Sequence, residues 1–195
     1  MNVPAPTLTY RDPWRWMWML SLFVPAFVAM GPWLMQWAGD AKALWWPLIF
    51  LYVVVPLADA LIPPSRHNPP ESAVASLEND VYYKHITFAL VPVLWAAFIF
   101  AAWFVARHGL PWHGWLAMVL ATGAVGGFGI NLAHEMGHKH NRLERTLALW
   151  ALAPSGYGHF CVEHNRGHHH DVATPQDTAS SRMGESIWAF VWREM

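Results

Sequence analysis

Four runs of mostly apolar residues, each close to the roughly 20 residues an α-helix needs to cross a bilayer, constrain this chain more than any other feature. They fall at 16–37, 44–62, 86–106 and 115–133, and predict an all-α membrane protein built as a multi-pass helical bundle. The charge content agrees: 13% of residues are charged, where a soluble domain carries about 25%. A formal net charge of −1 excludes nucleic acid as a partner, because phosphate recognition requires a basic face. The single Cys161 rules out an internal disulfide or a cysteine zinc site within the chain, and reads as an ordinary buried thiol.

The first run contains Pro25, Gly31 and Pro32, which predict a kink, and it reads as a retained anchor because it is too long and lacks a cleavage pattern for a signal peptide. The second carries Asp59, expected to turn away from lipid, and is stopped by Pro63 and Pro64. A polar loop with a short helix is expected over 65–85. Gly123 and Gly127 in the fourth run suit close helix packing. With the N-terminus inside, ten of the twelve Lys and Arg residues fall on the cytoplasmic side, leaving only Lys42 and Arg107 outside. The segment 147–160 is apolar but short and broken by Pro154, Gly156 and Gly158, so it reads as re-entrant or interfacial. Residues 185–195 look like the start of a further apolar helix, which suggests a chain that continues past Met195.

Histidines cluster where the fourth run ends. His134 and His138 are four apart, a spacing that puts two imidazoles on one helical face within reach of one metal. A denser group follows at 163–171. His164 and His168 repeat the spacing, while His169 projects about 100° further round the helix, where it can serve a second metal. Five such ligands exceed the four of a structural zinc site. Glu135, Glu163, Asp171 and Asp177 are candidates to hold the far ring nitrogens and fix tautomer and orientation. His67, His85, His108 and His113 are assigned no metal role, and His140, His159 and His170 lie off the spacing.

The first pair also satisfies the HExxH pattern of zinc metalloproteases, with Glu135 as general base. A protease needs one further ligand, not three. The competing chemistry is oxidation of an apolar substrate by a histidine-bound metal pair that activates dioxygen, for which a membrane supplies the substrate directly. A transporter is disfavoured because its ionisable groups usually sit near mid-bilayer.

At residues 131–139 (NLAHEMGHK) and 163–185 (EHNRGHHHDVATPQDTASSRMGE) the sequence resembles the bacterial membrane alkane 1-monooxygenases, a branch of the histidine-rich membrane desaturase and hydroxylase superfamily. The polar Asn68-Pro69-Pro70-Glu71 and the order of the helices are similar as well. The resemblance implies a non-haem enzyme with two iron ions that uses O2 to hydroxylate the terminal carbon of a linear alkane. It also implies electrons from rubredoxin, itself reduced by an NAD(P)H-dependent rubredoxin reductase, and a place in the bacterial inner membrane with the metal site on the cytoplasmic side. His134, His138, His164, His168 and His169 fall on family ligand positions. A His-Tyr-Gly motif and a third paired-histidine motif of the family are absent, so 1–195 reads as the N-terminal part of one hydroxylase domain, inactive alone. Trp45, Trp46 and Tyr52 are candidates to line an alkane channel, and Lys139, Arg142, Arg145 and Arg166 to steer rubredoxin or meet lipid headgroups. Membrane hydroxylases of xylene or cymene methyl groups and acyl-chain desaturases are the related alternatives.

Overall fold

The computed structural model describes residues 10–63 and 68–194, so Pro64, Arg66 and His67 lie outside the described residues. Every element among those described is helical. The chain divides into two compact units, Met1–Gly129 and Ile130–Met195.

In the first unit α1 (Arg15–Ala38), α2 (Ala41–Leu61), α4 (Val81–Arg107) and α5 (Trp112–Gly137) are each long and apolar enough to cross a membrane. A short α3 (Glu71–Glu78) lies between α2 and α4. Prolines shape the first two helices, because each lacks the N–H that an α-helical turn requires. Around Pro25 and Pro32, α1 alternates α turns with 3-10 turns at Arg15–Leu22 and Phe27–Ala29. Between Pro47 and Pro56, α2 widens into a π turn at Phe50–Val54. Gly39, in the left-handed region at φ 69°, ends α1, and Asp40 then accepts from the N–H of Lys42 to start α2. The third helix begins at Val81, earlier than its apolar run, because Asp80 caps it through the N–H of Tyr82 and carries the polar residues 82–85 into the helix.

The starts of α1 and α4 are fastened together. Arg15 forms an ion pair with Asp80 at 2.7 Å and lies 4.4 Å from the centre of the Tyr82 ring. The Tyr83 hydroxyl and the Trp18 indole N–H both donate to Asp12, at 2.8 and 3.1 Å. Two helix starts can meet this way only if an even number of crossings separates them, as α1 and α2 supply. Asp59 is exposed at the end of α2.

Leu44, Leu94, Phe104 and Met118 are fully buried in this unit. Close helix packing occurs at Gly31, where a Cβ would stand 3.1 Å from both the Cα and the carbonyl oxygen of Leu44. Gly123 and Gly127 behave otherwise: a Cβ at either meets nothing within 4 Å among the described residues, so their helix face is open here. Leucine at position 31 must push α1 from α2 backbone, and overpacking of this kind costs about 1–3 kcal/mol. Gly31→Leu is therefore expected to lower the thermal midpoint of the detergent-solubilised protein, whereas Gly123→Leu leaves it unchanged.

The second unit begins with the last turns of α5 and continues through α6 (Arg142–Leu152), α7 (160–171) and α8 (Ile187–Glu194). Asn141 caps α6 by accepting from the N–H of Leu143. The segment 147–160 forms no continuous helix: α6 passes into a 3-10 turn at Ala153–Ser155 and stops at Gly156, at φ 69°. Arg193 of α8 donates to both carboxylate oxygens of Glu185 at 2.9 and 3.0 Å, and to the carbonyls of Thr178 and Ser180, each at 2.9 Å. That guanidinium ties α8 to the loop following α7 and holds the Glu185 carboxyl down to about 2. A carboxylate lowered in the folded state stabilises fully above its unfolded value, here 4.5, and the contribution disappears as pH falls towards 2. Amide protection factors across 172–186 are expected to fall over that interval in the wild type, while Glu185→Gln is poorly protected already at pH 7.

Candidate metal centre

Helix α5 presents His134 and His138 one turn apart, their Nε2 atoms 3.2 Å from each other. Helix α7 presents His164 and His169, with Nε2 atoms 3.1 Å apart. The two pairs interlock: ring centres of His134 and His164 are separated by 4.5 Å, and those of His138 and His169 by 4.9 Å. One nitrogen from each of the four lies within 4.8 Å of the others, an arrangement that could hold a metal ion. Two ligands of a tetrahedral ion bound at about 2.0–2.1 Å stand about 3.3 Å apart, so the spacing within each pair suits a shared cation.

Glycine makes the approach possible. A Cβ at Gly137 would lie 3.0 Å from the Cys161 Sγ, and the Asn165 side-chain amide donates to the Gly137 carbonyl at 3.4 Å. Phe160 stacks on His164 at 5.0 Å and shields one face of its ring. These residues carry no chemistry-bearing signature, and only the glycine inside the first histidine pair hinted at the contact.

The second pair is His164 with His169, not with His168. Residues His164–His168 form a π turn in which the N–H of His169 reaches the carbonyl of His164, five residues back. The extra residue of a π turn brings residue i+5 within reach of residue i, so the Nε2 of His169 meets that of His164 while the His168 ring stays stacked on His164 at 5.3 Å between centres. The Nδ1 of His168 meets the Asp177 Oδ2 at 2.8 Å. A carboxylate only accepts, so Nδ1 of His168 carries the hydrogen and Nε2 keeps a free lone pair. Asp177 is itself buried and receives the Ser180 hydroxyl and the Ala179 N–H. The Ser180 hydrogen bond, then that of His168, holds its carboxyl below the usual range.

Of the other acidic candidates, Glu135 meets the His134 Nδ1 at 3.0 Å, on the opposite edge of the ring from the clustered nitrogens. Asp171 pairs with His170 at 2.6 Å and Glu163 with His159 at 3.6 Å, both outside the group of four. His108 meets the Phe104 carbonyl through Nδ1. His85, His113 and His140 likewise lie outside the group. Trp45 is half-buried, and Trp46 and Tyr52 are exposed on α2.

Burial first, and then the surrounding imidazoles, push His164 down to about 4 and lower His138 too. Both shifts favour the neutral ring, which is the form that binds metal. Cys161 is raised by burial, as an unreactive packing thiol.

Residues 109–195 match the family model described as fatty acid desaturase. Alkane 1-monooxygenase 1 of Alcanivorax borkumensis is 44% identical over 188 residues, covering 95% of this chain and 46% of that protein. Alkane 1-monooxygenases of Pseudomonas putida and Ectopseudomonas oleovorans are 43% and 42% identical over 186 residues, with the same coverage of 95% and 46%. Fold, histidine group and matches together define a desaturase-like, histidine-bearing protein with membrane-spanning helices. More narrowly, the chain is a homologue of the bacterial alkane 1-monooxygenases, and it spans about half the length of the curated relatives it matches.

The Gly137 contact yields a direct test. Gly137→Leu is expected to separate the two histidine pairs and lower metal affinity at least tenfold. Gly137→Ala should have a smaller effect that Cys161→Ala relieves, seen in a double-mutant cycle of metal-binding titrations.

Proposed function

We propose that this chain carries part of a centre that hydroxylates the terminal carbon of linear alkanes to primary alcohols, using O2, two histidine-held iron ions and electrons from rubredoxin. The observation that carries the reading is the four-imidazole cluster at the end of an apolar helix, in a chain 44% identical to an alkane 1-monooxygenase. An all-imidazole donor set fits iron, though it fits zinc, copper and nickel equally by ligand chemistry alone. His134, His138, His164 and His169 would hold one ion. His168, with its Nδ1 fixed by Asp177, offers Nε2 to the second. Iron, when bound, supplies the activation of dioxygen.

The protein's own groups do the rest. Glu135 and Asp177 fix the tautomer and tilt of the rings they touch, so that Nε2 faces the ion. The apolar spans bring an alkane to the site from within the bilayer, with Trp45, Trp46 and Tyr52 as the proposed channel wall. The distribution of Lys and Arg supports an N-terminus and metal site on the cytoplasmic side of the inner membrane. The protease reading is less well supported, because Glu135 meets the imidazole edge turned away from the cluster, where it cannot act on a metal-bound water.

The test uses the open reading frame that encodes this chain, taken to its stop codon and purified in detergent. Iron near two per chain is expected by elemental analysis, at least halved by His164→Ala, with 1-octanol formed from octane, O2 and reduced rubredoxin. A single zinc, indifferent to His164→Ala, overturns the reading. Turnover of xylene or an acyl chain but not octane moves it to a related substrate.

A further inference from the structure

A second feature of the Ile130–Met195 unit borders the imidazole group at His138 but is built from other side chains. A cavity of about 740 Å³ opens between the end of α5, α6 and α7, and Arg142, Arg145 and Arg166 all line it together with Lys139. No Asp or Glu contributes to its wall. Among the described residues none of the three guanidiniums has a carboxylate within ion-pair distance. Three arginines converging without a counter-charge repel one another, and an anion between them relieves that repulsion.

The position of the cavity says which anion. Its wall begins at Gly137, the last residue of a helix long and apolar enough to span a bilayer, and a bilayer crossed by that helix would bring its headgroups to this level. Helix α6 has the form of an interfacial helix. Leu143, Leu149 and Trp150 are each more than half exposed, at 53%, 51% and 56%. At about 100° per residue they share one arc of α6 with Arg142 and Arg145. Basic residues bordered by exposed leucine and tryptophan suit a phosphate with acyl chains attached. An acidic protein surface would match the arginines but leave those apolar side chains unmatched.

We propose that this cavity binds the phosphodiester headgroup of an anionic phospholipid, with Arg142, Arg145 and Arg166 clasping the phosphate and Leu143 and Trp150 entering the acyl region. The site would hold α6, and with it the turn between α6 and α7, against the membrane surface. It requires no metal and is independent of the hydroxylase reading.

The experiment titrates the purified full chain in neutral detergent with short-chain phosphatidylglycerol, phosphatidylcholine and soluble glycerol 3-phosphate, following bound lipid by native mass spectrometry. Phosphatidylglycerol is expected to bind at least tenfold more tightly than either of the others. That preference should vanish in the triple variant Arg142→Ala/Arg145→Ala/Arg166→Ala, weaken with added salt, and survive in the corresponding triple lysine variant. Because the alanine triple can perturb folding, Arg166→Gln alone, with wild-type circular dichroism, is expected to lose at least threefold. Equal binding of the two lipids overturns the proposal, as does undiminished phosphatidylglycerol binding in the alanine triple. Glycerol 3-phosphate bound as tightly as lipid would make this a soluble-anion site instead. Arginine-dependent binding of an acidic protein without any lipid preference would make it a protein-docking surface.

Discussion

The histidine group depends on a single close approach, that of α7 to the last turn of α5 at Gly137. One hydrogen in place of a methyl lets Cys161 settle where a Cβ would stand 3.0 Å from its sulfur. The same contact brings His164 and His169 against His134 and His138. Burial first, and then the neighbouring imidazoles, disfavour the charged form of His164 and His138. Packing and ligand chemistry therefore pull in one direction.

A relay of hydrogen bonds extends this order outward. Arg193 on α8 grips the carbonyls of the 178–180 loop, Ser180 and Ala179 position Asp177, and Asp177 orients His168. Among the described residues of 172–186 the one buried side chain is Asp177, so charge-assisted hydrogen bonds carry the loop's geometry. The first unit is organised differently. Its helices meet through backbone contact at Gly31 and through the Arg15 clamp on Asp80 and Tyr82, while much of their apolar surface remains exposed.

The spans were legible from the sequence because hydropathy over 20 residues averages away local detail. Where local detail decides, the reading fell short. The start of α4 depends on a capping side chain, Asp80, rather than on hydrophobicity. Of the acidic candidates beside the second cluster, Asp171 meets its neighbour His170, while the more distant Asp177 reaches His168 through a turn that no spacing rule describes. Gly123 and Gly127 carry a packing motif with no described partner, whereas Gly137, hidden inside the histidine motif, is where helices meet. His169 and not His168 brings its Nε2 to that of His164, because periodicity assumes 3.6 residues per turn and a π turn does not obey it.

That turn amounts to an α-helix with one residue too many. The surplus lets two consecutive histidines look in different directions, one towards three other imidazoles and one towards an aspartate. Its consequence is that the segment encodes direction by residue count as much as by residue identity. Removing one residue between His164 and His168 would leave every histidine in place and restore ordinary winding. The histidine now at 169 would then stand four residues after His164, the ordinary α-helical spacing, and the pair would keep to one face, a change of phase that no side-chain substitution can reproduce.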